Sequence, residues 1–159
     1  MMPKFYTPKI IAFLLCVAVM NITLAQNPSK PVAKFKPPVV KTYLGKVTGN
    51  GTIIPVEQGK ELIGLPLTVV DAKNNSYNVT HYQFSYKRVG ITEDETTGKT
   101  TAESDMVAKR FTTTPLDSIW IKTIQDELHS GEELYFFDII AKDKDDRLFF
   151  APELRLIIQ

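Results

Sequence analysis

A regular alternation of side-chain types over residues 77–89 constrains the fold of this chain more than any other feature. One face of the alternation carries Thr80, Tyr82, Phe84, Tyr86 and Arg88, and the other carries Val79, His81, Gln83, Ser85 and Lys87. A period of two with aromatic and β-branched residues is typical of a long strand that buries one face. We therefore expect a β-rich domain built around this strand.

Four further segments have the composition of strands, at residues 65–70, 106–112, 134–141 and 147–158. The second of these is expected to pair back onto 79–89, which leaves 91–105 as a mobile, acidic hairpin tip. Residues 142–146 are all charged and predict the turn between the last two strands. Because proline cannot donate to a strand ladder, Pro152 predicts a bulge or an edge position in the final run.

One segment changes to a helical period. Its apolar side chains recur every three or four residues, at Leu116, Ile119, Trp120, Thr123, Ile124 and Leu128. This spacing predicts one amphipathic helix at about 115–128, with the stripe packed in the core. Thr114 can cap the helix, Pro115 suits its first position, and Gly131 is expected to end it.

The stretch before these elements is short, apolar and rich in glycine. Asn50-Gly51 is the pair favoured in a type I′ turn, so residues 48–52 are expected to form a turn. A single helical turn is expected at 55–58, stopped by Gly59. No phosphate-binding loop is present, because the glycines are not followed by Lys and Ser or Thr.

The first 25 residues have the pattern of a signal peptide. Two lysines and no acidic residue precede an apolar run at 10–20, and small residues at Thr23 and Ala25 fit cleavage before Gln26. The run is shorter than the roughly 20 apolar residues that span a bilayer. An uncleaved N-terminal anchor is the alternative. We therefore expect a periplasmic or secreted protein with no membrane span after cleavage.

After the signal, residues 26–38 carry four prolines and three lysines and are expected to form an extended tether to a domain at 39–159. The single cysteine, Cys16, lies inside the signal, so the exported chain can form no disulfide or thiolate metal site. The balance of 19 basic against 18 acidic residues argues against a broad nucleic-acid surface.

Residues that carry chemistry are scarce. His81 lies in the long strand, and His129 lies at the end of the predicted helix, where the helix dipole favours a partly positive imidazole. Neither has a carboxylate at ligand spacing, and no nucleophile–base pair is evident. We therefore expect no catalytic site, no metal site and no cofactor.

The acidic residues are interpreted structurally. The run at 143–146 invites a calcium interpretation, but it lacks the glycine and the twelfth-position glutamate of an EF-hand loop, which favours a solvated turn. Asp138 lies within a predicted strand. A buried carboxylate needs a partner, and Arg147 and Arg155 on the next strand are the candidates.

Several stretches together suggest a family. They are Tyr43-Leu44-Gly45-Lys46 with residues 49–53, the strand at 77–85, Phe111-Thr112 with the following helix and the strand at 134–141, and residues 146–154. On these residues, from about Pro38 to Gln159, the chain resembles the C-terminal domain of the gliding-motility protein GldM and its type IX secretion relatives in Bacteroidetes-type bacteria. The family's transmembrane helix and its other periplasmic domains have no counterpart here, so we expect a stand-alone copy.

The resemblance implies a β-sandwich module in the periplasm, acting as a non-catalytic part of the type IX secretion and gliding machinery. The fold that we expect is a single, mostly β sandwich, immunoglobulin-like in outline, with one packed amphipathic helix at about 115–128. The leading hypothesis is a protein–protein interaction module for envelope or secretion-system partners. Its expected contact surfaces are the exposed edge of the 79–89/106–112 hairpin, the tip at 91–105 and the tether. The alternative is a small carbohydrate- or metal-binding module that uses His81, Tyr82, Tyr86 and nearby acidic residues.

Overall fold

The computed structural model describes residues 35–93 and 95–159, which contain nine strands and two helices. In chain order these are β1 (Val40–Leu44), β2 (Val47–Thr48), β3 (Asn50–Ile54), α1 (Val56–Leu62), β4 (Leu67–Asp71), β5 (Ser76–Glu93), β6 (Thr100–Phe111), α2 (Ser118–Glu127), β7 (Glu133–Lys142), β8 (Leu148–Phe150) and β9 (Leu154–Ile158). The predicted signal peptide and residues 26–34 of the predicted tether lie outside the described residues. None of the described helices is long and apolar enough to cross a membrane.

The strands form one sheet in the order β2-β1-β4-β5-β7-β9-β3, with β6 on β5 and β8 on β7. All neighbours are antiparallel except β3 and β9, which are parallel. The two ends of this order, β2 and β3, follow one another in the chain and meet at Gly49, so the sheet nearly closes into a barrel. The prediction of a mostly β domain is confirmed, whereas the immunoglobulin-like sandwich is not.

The central strand β5 buries the face that its alternation predicts. Tyr82, Phe84 and Tyr86 are all enclosed in the core. The ring of Phe84 lies 4.8 Å from that of Phe136 on β7, between centroids, and meets Trp120 of α2 edge-on. Register shifts between residues 79 and 83 interrupt the pairing of β5 with β7. Such bulges bend a sheet, which here helps it to curve around the aromatic core.

The predicted hairpin is confirmed, but its tip is shorter than the predicted 91–105. β6 pairs with β5 from Phe111 opposite Tyr82 as far as Thr100 opposite Glu93. Most of residues 91–105 is therefore paired strand. The threonines of this segment favour extended backbone, and one of them, Thr92, donates to a carboxylate oxygen of Glu103 across the hairpin at 2.7 Å.

The helix α2 begins later than its capping signals predict. Asp117, not Thr114, is its N-cap residue, and Pro115 precedes the helix. The hydroxyl oxygen of Thr114 instead accepts a hydrogen bond of 2.6 Å from the backbone N–H of Leu67 on β4. Thr114 therefore links the segment before α2 to the sheet, which is a contact that local sequence cannot reveal.

The apolar stripe of α2 is confirmed at Ile124 and Leu128 but not at Ile119, whose residue surface is 71% exposed. The helix ends at Glu127, and Leu128 is already extended. Gly131 does not end it. With a φ of 92°, Gly131 turns the chain into β7 and donates its N–H to the carbonyl of Ile158 at 2.8 Å.

The predicted single helical turn is a longer helix, α1, and Gly59 lies inside it. A Cβ atom at Gly59 would stand only 2.7 Å from Cδ2 of Leu128 and 3.1 Å from Cδ1 of Ile158. This glycine therefore allows α1 to approach the core closely, and packing against the core outweighs the low helix propensity of glycine. The helical prediction at 55–58 was right in kind and too short.

The tight turn of the glycine-rich stretch lies at Gly45 and Lys46, which join β1 to β2 with Leu44 opposite Val47. Gly45 has a φ of 60°, the left-handed conformation that glycine adopts readily. The expected Asn50-Gly51 turn was wrong, because Asn50 already begins β3.

The buried tyrosines predict an alkaline limit to stability. Burial raises the pKa of Tyr82 to about 12, and burial together with the hydrogen bond to Glu132 raises the pKa of Tyr86 further. An unfolded tyrosine loses its proton near pH 10. The stabilising contribution is therefore complete below about pH 10 and is lost as pH rises through the folded pKa, because only the unfolded state then gains from ionisation.

We expect the free energy of unfolding to fall between about pH 10 and 12, measured by denaturant titration at each pH. Tyr82→Phe should make this dependence shallower, because one of the phenols is removed. A free energy of unfolding that stays constant up to pH 12 would contradict the prediction.

Candidate interaction surface

The strand β6 is an edge of the sheet. Within the described part of the chain it pairs with β5 alone, and no other strand lies against its second side. An edge strand carries backbone N–H and C=O groups that can pair with an added strand. This is the edge that the sequence predicted for the 79–89/106–112 hairpin.

A groove runs between this edge and the helix α2. It has a volume of about 330 Å³ and a mainly apolar lining of Tyr86, Arg88, Val107, Ile119, Trp120 and Thr123. Trp120 is held in place because its ring lies edge-on to those of Phe84 and Phe111, at 5.7 and 5.9 Å between centroids. The exposed Ile119 stands at the groove, where sequence periodicity had placed it in the core.

Ion pairs bound the groove at both ends. Nζ of Lys109 on β6 lies 2.8 Å from a carboxylate oxygen of Asp117 at the start of α2. At the other end, Arg88 on β5 lies 2.5 Å from Asp105 and 3.5 Å from Glu127. These pairs are partly exposed and so contribute little to stability. The groove therefore has an apolar centre and charged ends.

A buried carboxylate lies beyond the second end of the groove. Glu132 accepts hydrogen bonds from the hydroxyl of Tyr86 at 2.5 Å and from the backbone N–H groups of His129 and Val89 at 2.9 and 3.4 Å. These three donors satisfy a carboxylate that would otherwise be costly to bury. The role of Glu132 is therefore to join the end of α2 to the central strand.

Sequence reasoning missed Glu132, although its signal was present. Glu132, Leu134 and Phe136 are two residues apart, so the alternation that predicts β7 also places Glu132 on the inner face. Asp138 was considered instead, as a carboxylate that would need a partner if it were buried, and it is exposed. The positive φ of 48° at Asp138 interrupts the alternation, so Ile139 is buried and Asp138 is exposed.

The predicted partners of Asp138 bind other carboxylates. Asp138 accepts a hydrogen bond of 2.6 Å from Nε2 of Gln83. Arg147 pairs with Asp143 at 2.7 Å, and Arg155 pairs with Glu133. The guanidinium of Arg147 holds the pKa of Asp143 below its usual value. The acidic run at 143–146 is thus a turn whose carboxylate at Asp143 is paired with the arginine that directly follows the run.

The residues of the alternative binding module are not brought together. Nδ1 of His81 lies 3.2 Å from the hydroxyl of Thr80. The side chains of Tyr82 and Tyr86 point into the core on the opposite face of β5, and the hydroxyl of Tyr82 donates to the carbonyl of Thr113 at 3.2 Å. Among the described residues, no three histidine, cysteine or acidic side chains are placed to hold a metal ion.

Comparisons of the sequence with models of known protein families and with curated proteins find no match. What the surface along β6 does is therefore argued from its own geometry and chemistry.

Proposed function

We propose that this chain is a non-catalytic protein–protein interaction module that binds an extended segment of another polypeptide along β6. The observation that carries the proposal is the edge of β6 lying beside an apolar groove, where backbone pairing and side-chain burial are available at one place. Backbone hydrogen bonds supply affinity in strand addition, and pockets for alternate side chains supply specificity.

The register of β6 indicates how such a segment would lie. Val107, Lys109 and Phe111 stand opposite Tyr86, Phe84 and Tyr82, so they share the inner face of the sheet. Every second side chain of an added strand would share this face as well. A side chain opposite Val107 would enter the groove beside Ile119, and its neighbours on that face would meet the charged ends. The preferred segment therefore has an apolar residue between charged ones.

The proposal extends to location and family. We infer an exported protein of the bacterial envelope, related to the distal domain of GldM and acting with type IX secretion or gliding components. The signal-like residues 1–25 and the resemblance over 38–159 support this inference. We also infer an immunoglobulin-like sandwich as the finer description of the fold. The many antiparallel pairs around one core support that finer description, while the parallel β3–β9 pair is unusual for it.

Site-specific photocrosslinking in the cells that produce the protein tests the proposal. A benzoylphenylalanine at Ile119, beside the groove, should form a crosslink to another polypeptide that mass spectrometry identifies. The matched control is the same group at Glu61, an exposed position on α1. We expect adducts from Ile119 and few from Glu61. Equal adducts from both positions, or none from Ile119, would contradict the proposal.

A further inference from the structure

We propose that the segment that adds to β6 is β6 of a second copy, antiparallel and centred on Val107, so that two chains form a symmetric dimer. This inference rests on the proposed function, since it names the partner of the same edge. It begins from the distribution of charge along β6, where Glu103 and Asp105 occupy the first half and Lys109 and Arg110 the second. A strand with opposite charges in its two halves is complementary to itself when antiparallel.

Symmetry limits the register. Consider an antiparallel dimer whose twofold axis is perpendicular to the sheet. Residues directly opposite each other share a face, so the axis must lie between one residue and the same residue of the second copy. Centring on Val107 places Asp105 opposite Lys109 of the second copy, twice, and Val107 opposite Val107. Centring on Met106 would also give two opposite-charge pairs, Glu103 with Lys109. It would, however, place the carboxylate of Asp105 against Val107 and lose the apolar pair of the two Val107 side chains. The pattern therefore favours Val107.

The charges already in place at the groove strengthen this choice. Asp105 is paired with Arg88, and Lys109 is paired with Asp117, all on the inner face. Directly opposite side chains in an antiparallel pair have Cβ atoms about 5 Å apart. Bringing Asp105 beside the second copy's Lys109 would therefore join these pairs into a row of alternating sign from Arg88 of one copy to Asp117 of the other. The same row would form again by symmetry.

The apolar centre of the groove fits the same arrangement. Val107 of each copy would meet on the inner face, with the exposed Ile119 of both copies on the same side of the joined sheet. On the outer face, Met106 would stand opposite Ala108. Charged residues on an edge strand usually discourage pairing between copies. Here their order brings opposite charges together when the strand pairs with itself, and the apolar pair of the two Val107 side chains favours one register.

Two charge variants test the inference by sedimentation equilibrium of the full chain. Asp105→Lys leaves only lysines at the two paired positions, and Lys109→Asp leaves only aspartates. Each variant alone should raise the dimer dissociation constant about thirtyfold, because two attractive pairs become repulsive. An equal mixture of the two should recover the dimer, since every pair is again opposite in charge. Lys122→Asp on α2, the matched control, should leave the dimer unchanged.

A disulfide variant gives an independent measurement, and circular dichroism verifies that every variant folds. With Cys16→Ser, the variant Val107→Cys should form a covalent dimer on mild oxidation, and Lys122→Cys should not. A monomeric wild-type chain, or single charge variants that associate as the wild type does, would overturn the inference. A monomer whose Ile119 crosslinks to a different protein would overturn it and leave the proposed function standing.

Discussion

Phe84→Ala is expected to lower the free energy of unfolding by about 3–5 kcal/mol, the usual cost of truncating a buried phenylalanine. Phe84 is 0% exposed and lies at the centre of β5. Its ring contacts those of Phe136, Trp120 and Phe111 at 4.8, 5.7 and 6.4 Å between centroids. Alanine would leave a cavity bounded by β7, α2 and β6, and none of these elements can close it without breaking other contacts.

Denaturant titration of the purified protein measures this loss. Phe150→Ala is the matched control, because Phe150 also lies in a strand but is 72% exposed. We expect the control to change the free energy of unfolding by less than about 0.5 kcal/mol, as is usual for a surface substitution. Similar losses from the two variants would mean that Phe84 is not the centre of the core.

Glu132→Ala is expected to lower the free energy of unfolding by about 3 kcal/mol, because it leaves buried donors without an acceptor. The hydroxyl of Tyr86 and the N–H of His129 both donate to Oε2 of Glu132. Glu132→Gln keeps an oxygen at this place and should lose less. The comparison of the two variants separates the loss of an acceptor from the loss of charge.

The neighbouring residue supplies the control. Glu133 faces the outside of the sheet and pairs with Lys87 and Arg155, whose side chains are partly exposed. Glu133→Ala should therefore cost less than Glu132→Ala by denaturant titration, because Lys87 and Arg155, each 42% exposed, remain in contact with water when the carboxylate is removed. A larger loss from Glu133→Ala than from Glu132→Ala would contradict the assignment of Glu132 as the structural carboxylate.

Local sequence patterns correctly predicted the strands and turns that depend on only a few neighbouring residues. The alternation of β5 correctly gave Tyr82, Phe84 and Tyr86 to the core. The turn predicted at 142–146 lies at 143–147, directly after β7, and Pro152 lies where the final run divides into β8 and β9. The free edge of the hairpin was also predicted, because a long strand followed by a second strand-like segment implies a hairpin.

The errors arise from contacts between distant parts of the chain and, at one residue, from an unusual backbone conformation. Gly59 is tolerated inside α1 because Leu128 and Ile158 come close to it. Ile119 continues the apolar period of α2, but the sheet ends before it can cover this side chain. Asp138 loses its predicted place because its left-handed backbone shifts the alternation by one position. The surroundings of Gly59 and Ile119 depend on residues that are distant in sequence, so a local pattern does not predict them.

The parallel pairing of β3 with β9 has a consequence for how the protein reaches its folded form. These strands are joined side by side although about a hundred residues separate them in the chain. During synthesis β3 therefore cannot pair with β9 until β9 has left the ribosome, and folding that depends on such distant pairings is slow. For the export that we propose, this delay would keep the chain unfolded long enough to cross a membrane through a translocon.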